Sequence, residues 1–439
     1  MTLTEGMFGD PEIAGIMGPA ARLAAMLETE AVLAEVEAGL GIIPGPAAAR
    51  IAAVARGLRP DPTAIAAAAA GTGIAAQALV AALKAAAGAN EGFVHYGATS
   101  QDIEDTALVL QLGRALAVLE TRLEALAARL GAAAADTKAL VIPARTRFQI
   151  AAPTTFGAKI AVWRAPLARH LDRLGELRPR VLNVSLHGAA GTGAALWPQG
   201  AEVRRGVAGA LGLGAPDLPW HAARDAIAEL GGWLALVTGS LGKIGLDLVL
   251  LGQSEVGEVA AGTGGGSSTM PQKSNPVAAE ALVTLARLNA GDLGTLHQAM
   301  IHAQERDGSA LGIEWQILPQ MLERTGAALR IGGNLAASLA ARPERIAARF
   351  AADRGAMLAE AAGFLLAREM PRDAALGIVR QALVALAEDP GETLAGALGR
   401  LMPGRDWADL LDPARQTGEA AHMVDGATTT RPDSQGEKR

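Results

Sequence analysis

GGGSSTMPQKSNP, Gly264–Pro276, stands apart from the chain around it. Upstream, Ile227, Leu230, Leu234, Val237, Leu241, Ile244, Leu248 and Leu251 recur at alternating spacings of three and four. Downstream, Leu282, Leu285 and Leu288 begin another such series. That spacing puts each series on one helical face, so the stretch predicts a polar, glycine-rich loop between two long helices. Asn275 followed by Pro276 reads as the N-cap and first-turn proline of the second helix. Ser267, Ser268 and Lys273 then lie just ahead of a helix N-terminus, whose free N–H groups and partial positive charge suit a carboxylate or phosphate. Glycines at Gly257, Gly262 and Gly264 to Gly266 allow the loop to open and close. A nucleotide phosphate loop would need a glycine before the lysine and a strand before the loop. Gln272 and a helix stand there instead.

Working outward, Leu108, Leu112, Leu116, Leu119, Leu123, Leu126 and Leu130 form a third helical series. A helix from Ala222 to Gly252 would be about 45 Å long. No alternating strand pattern is visible, and aromatic residues make up only 3% of the chain, a thin supply for sheets. The expectation is an all-α protein in three parts. A helical N-terminal part spans 1–105, a central bundle of long helices 106–341, and shorter C-terminal helices 342–426. The polar residues 427–439 read as a disordered tail.

Composition removes several function classes. There is no cysteine, which excludes disulfides, thiolate metal sites and a cysteine nucleophile. The net charge is −6 with both signs dispersed, so no nucleic-acid partner is expected. Pro62–Leu83 carries no charge, but it is mostly alanine and glycine and reads as a soluble helix, not a membrane span. No secretory leader is visible, and a cytoplasmic location is expected.

Five further stretches could carry chemistry. HYGATSQDIEDTAL, His95–Leu108, gathers His95, Thr99, Ser100 and Gln101 at a helix start, with Thr99 as cap and Asp102 as its capping-box partner. ARTRFQIAAPTTFG, Ala144–Gly157, places Thr146, Arg147 and Gln149 before a Pro-Thr-Thr turn. HGAAGT, His187–Thr192, is a small-residue loop that backbone could bring close to a ligand. PWHAARDAIAEL, Pro219–Leu230, puts His221 and Arg224 on the first turn of a long helix, where salt bridging explains Arg224 and Asp225. Glu305–Pro319 is the last.

Together these stretches resemble the fumarase/aspartase superfamily. Its signature G-S-S-x-M-P-x-K-x-N is matched by Gly266 to Asn275, and HYGATSQD and HGAAGT fill the other two shared segments in order. Within the superfamily the opening MFGDPEIAGIMGPAARLAAMLETEAVLAEVEAGLGIIP and QERDGSALGIEWQILP resemble the family of 3-carboxy-cis,cis-muconate cycloisomerases. Leu311 stands where that family often has tryptophan. Many lyases of the superfamily carry Thr-His-x-Gln in the third cluster, with the histidine paired to a glutamate. Here Arg147 replaces the histidine and Glu280 keeps the glutamate place. A guanidinium is no acid or base near neutral pH, so the cycloisomerase branch is the one implied.

The resemblance implies a site for a small tricarboxylate, with no cofactor and no metal. Ser267 and Lys273 would be catalytic: the serine moves a proton at carbon, and the lysine stabilises its alkoxide and the charge on a carboxylate. His95, Thr99, Ser100, Gln101, Thr146, Arg147, Gln149, Ser268, Met270, Asn275 and Glu280 would bind or orient substrate. Each site would be shared among subunits of a homotetramer. The sequence leaves open the parts played by His187 and His221, and whether Arg147 meets substrate or only Glu280.

Overall fold

A computed structural model describes residues 3–266 and 268–428. The protein is all-α in class, with eighteen α-helices and three two-stranded pairings among the described residues. The leucine series explain the long helices. The seven leucines of the 108–130 series are all buried within Ser100–Asp136, and the eight residues of the 227–251 series are all buried within Asp225–Leu251. The latter helix has 27 residues, about 40 Å, and starts three residues later than its expected Ala222. Leu282 and Leu285 are buried in Val277–Gln298, whereas Leu288 is 43% exposed. A side chain at Gly245 would meet the Ala279 carbonyl, so this glycine lets two of the helices approach at backbone distance.

The chain forms two compact units. The first comprises 1–123, 169–242 and 284–330. Its N-terminal helices Pro19–Gly39, Gly45–Gly57 and Ala75–Ala87 bury Met26, Ile51, Leu79 and Leu83 together with Ile103. A second cluster joins Leu33 to Val184, Leu196 and Val203. The uncharged Pro62–Leu83 stretch forms two helices bent by 118°, broken where Gly73 takes φ +77°. By length and composition Asp225–Leu251 could cross a membrane, but half of its most apolar window is buried inside the protein.

The second unit comprises 124–168, 243–283 and 331–439. Its C-terminal helices bury Leu366, Val379, Leu394, Leu398 and Trp407. It also holds an antiparallel hairpin, Val141–Thr146 with Gln149–Thr155, that periodicity did not reveal. Pro153, Thr154 and Thr155 are therefore strand residues and not the expected turn. The final helix, Ala420–Thr428, runs into the expected tail, and 429–439 lie outside the described residues.

Candidate functional site

In the first unit, three of the stretches singled out above meet at one carboxylate. Asp102 sits in the first turn of Ser100–Asp136, and its Oδ2 accepts from the Thr99 amide at 3.0 Å, as the capping pattern requires. The same carboxylate accepts the backbone N–H of His187 at 3.0 Å and of Gly188 at 2.9 Å. His221 Nε2 lies 2.7 Å from Oδ1. Burial resists ionisation of Asp102, but the His221 bond and the amides of His187 and Thr99 outweigh it and hold the carboxyl below its ordinary value. The HGAAGT loop is thus fastened to the helix start that carries Thr99 and Ser100.

A second buried network stands beside it. Arg224 does form salt bridges, but not from the first turn of the long helix, where it was expected. It precedes Asp225–Leu251, is buried, and lies between Asp105 (2.9 and 3.0 Å) and Glu314 (2.8 and 2.5 Å). Its guanidinium also stacks 4.6 Å from the Trp220 ring. Gln101, expected to orient substrate, is buried too. Its Nε2 donates to Asp105 at 3.1 Å and to the His221 carbonyl at 2.9 Å, so it braces the network and does not reach outward. Arg306 does reach the front: it donates to Thr99 Oγ1 at 3.1 Å and to the Ala189 carbonyl. His95 takes φ +63°, and its Nδ1 is 2.6 Å from Glu30 Oε1. His187 has its pKa lowered by burial, with Nε2 3.3 Å from the Asp217 carbonyl.

In the second unit, Thr146 pairs with Gln149 at the hairpin tip, with Arg147 and Phe148 both at positive φ between them. Two such residues make the primed turn that matches strand twist. All four tip residues are exposed. Arg147 pairs with no carboxylate among the described residues, so of the two parts left open for it the pairing with Glu280 is not formed in this chain. One strand residue anchors the hairpin instead: Arg145 forks onto the buried carboxylate of Glu258, just before the glycine loop. The Glu258 backbone is held in turn by Leu251 and Arg342.

The loop itself folds back as a short pairing of Gly265 with Asn275 and Gly266 with Ser274. Asn275 is therefore not the helix cap. The helix starts at Val277, and the Pro276 carbonyl takes the first helical bond from Glu280. Lys273, Ser268 and Met270 are all exposed. Ser267 lies outside the described residues.

Capped helix start, small-residue loop, cationic glycine loop and long apolar helices occur here in one chain. A family model described as "Lyase" matches residues 10–289. The chain belongs to this lyase family. Over 418 residues this lyase is 42% identical to the 3-carboxy-cis,cis-muconate cycloisomerase of Pseudomonas aeruginosa, covering 92% of this chain and 91% of that one. It is 33% identical to the N-acetyl-S-(2-succino)cysteine lyase of Enterococcus italicus, covering 97% and 95%. Among solved structures it resembles the 3-carboxy-cis,cis-muconate lactonizing enzyme of Pseudomonas putida, at 37% identity and a TM-score of 0.91, covering 97% of this chain and 98% of that one. The fumarase/aspartase-like fold expected from the signature is the fold of this lyase.

Sequence reasoning missed Asp105, Glu314, Glu30 and the Arg145–Glu258 fork. Asp105 and Glu30 lie on helices already placed, so only their depth was hidden. The others depend on neighbours remote in the chain.

Proposed function

We propose that this lyase is a cycloisomerase that interconverts 3-carboxy-cis,cis-muconate and a carboxymuconolactone in the catabolism of protocatechuate. The observation that carries the reading is the 42% identity, over nearly the full length of both chains, to a protein of that name. In the forward direction a carboxylate oxygen adds across C=C and a carbon takes a proton. The reverse is a β-elimination. Both pass through a carbanion stabilised as the doubly charged form of a carboxylate, so the site must bind that charge more tightly than the ground state.

Lys273 and the adjoining helix start supply that stabilisation in this reading, and Ser267 carries the proton to or from carbon. Arg147, with no carboxylate partner among the described residues, is available to clamp a second carboxylate. His95, Thr99, Ser100, Thr146, Gln149, Ser268, Met270, Asn275 and Glu280 orient the substrate. The site is shared among subunits of a cytoplasmic homotetramer. Exposed Leu236, Leu246 and Leu288 on long helices support burial against other copies.

A second reading is a β-eliminating lyase that releases fumarate, of the adenylosuccinate or argininosuccinate type. A solved "fumarate lyase" from Mesorhizobium, at 35% identity and a TM-score of 0.90, favours it. The test is turnover of 3-carboxy-cis,cis-muconate, followed by loss of diene absorbance, beside fumarate formation from the two succinyl substrates. Loss of diene absorbance supports the cycloisomerase. A silent first assay with fumarate in the second would replace it with the lyase.

A further inference from the structure

The Glu30–His95 pair is poorly explained as a device for stability. Glu30 is 1% exposed on the inner face of Pro19–Gly39, and Oε2 has no partner. Two turns along the same helix, Glu37 is wholly buried with neither oxygen partnered. Burial, then the charge of Glu30, push the Glu37 carboxyl up to about 8, so Glu37 holds its proton at neutral pH. A buried ion pair seldom stabilises more than apolar residues of the same size would, and a half-satisfied one does worse. His95 adds a backbone in the left-handed region, which a non-glycine residue adopts only under constraint. Burial, lost hydrogen bonds and backbone conformation all work against this arrangement. What it secures is the position of one imidazole, five residues ahead of the Ser100–Asp136 helix.

We propose that Glu30 is a positioning residue: its carboxylate accepts Nδ1–H of His95, fixing the ring and its tautomer so that Nε2 is the nitrogen presented to the substrate. A free imidazole rotates and exchanges tautomers. Held through Nδ1, it offers one nitrogen in one direction, and the Glu30 carboxylate stands opposite as counter-charge when an Nε2–H hydrogen-bonds to a substrate carboxylate. The part concerning substrate rests on the functional reading above; the part concerning the tautomer does not.

The experiment is solid-state NMR of protein labelled with 15N at histidine, with the His95 signal assigned by its loss in His95→Gln. At about pH 9, where an ordinary imidazole is neutral, wild type should show Nδ1 protonated and Nε2 bare. Glu30→Leu should move the proton to Nε2 and raise KM for 3-carboxy-cis,cis-muconate about tenfold, with kcat changed less than about threefold. Glu30→Gln, which keeps an acceptor oxygen, should retain the tautomer and most of the affinity. Wild-type protein with the proton on Nε2 would overturn the proposal without recourse to any variant, as would an unchanged tautomer in Glu30→Leu. A shifted tautomer with unchanged KM would support the positioning role while removing His95 from the substrate site.

Discussion

Asp102 and His221 meet at 2.7 Å between Oδ1 and Nε2, inside the protein and 119 positions apart in sequence. The same carboxylate holds the His187 and Gly188 amides, so one side chain sets the distance between the capped helix and the HGAAGT loop. Asp102→Asn should cost about 3–5 kcal/mol, as loss of one member of a buried charged network does. The pH dependence follows from the depressed carboxyl. The folded state binds fewer protons than the unfolded state near the ordinary Asp value of 3.8, so this stabilisation is complete above that value and is lost as pH falls through the folded one. Urea midpoints measured from neutral pH downward should fall more steeply in wild type than in Asp102→Asn below about pH 4.

Arg224, Asp105 and Glu314 form a buried trio in which one cation serves two acids. Arg224→Met leaves both carboxylates without a cation and should cost about 3–5 kcal/mol in chemical denaturation. Replacing all three by apolar residues of similar volume should recover most of that loss. A triple variant no more stable than Arg224→Met would show that the network contributes more than its charges.

What the sequence disclosed and withheld follows from locality. The leucine series at 108–130 and 227–251 announce their helices because every third or fourth residue reports the same buried face. The signature at 266–275 announces the loop because its composition is anomalous where it stands. The 141–155 hairpin was hidden by its own residues. Pro143 faces Pro153 in register, neither fits a usual strand pattern, and the turn is Arg147-Phe148 without the glycine or asparagine that marks primed turns. Arg224 read as a helix-end salt bridge; it does form salt bridges, but a one-dimensional pattern shows charge and not depth or partner. Its partners lie 119 and 90 positions away.

Glu37 makes the opposite pH prediction from Asp102. With its carboxyl raised to about 8, the folded state keeps a proton that the unfolded chain loses above 4.5. This group therefore costs nothing below 4.5 and lowers stability progressively as pH rises toward 8, by about 1.4 kcal/mol for each pH unit in that window. Glu37→Gln cannot titrate. Its advantage over wild type in urea unfolding should grow from pH 5 to pH 8, to a few kcal/mol. An advantage that stays constant across that range would contradict the buried, protonated acid.

Gly264 takes φ +68°, and a side chain there would collide with the Ser274 hydroxyl. Gly264→Ala should strain the Gly265–Asn275 pairing locally by about 1 kcal/mol and leave thermal unfolding nearly unchanged. Turnover should fall about 10- to 100-fold if the loop positions reacting groups, since small misplacements there are costly. Equal losses in both measurements would make the loop a structural element.

Lys273 separates charge stabilisation from folding most cleanly. It is exposed on the loop, so Lys273→Met should melt like wild type. If the lysine stabilises charge that develops only on the way to the lactone, kcat for 3-carboxy-cis,cis-muconate should fall about 10²- to 10³-fold while KM changes far less. Lys273→Arg keeps the cation but spreads it over a planar fork, and should restore only part of the rate. A Lys273→Met enzyme with raised KM and undiminished kcat would mean that the lysine binds substrate and transition state equally, and the stabilising charge would have to come from the helix start and from Arg147.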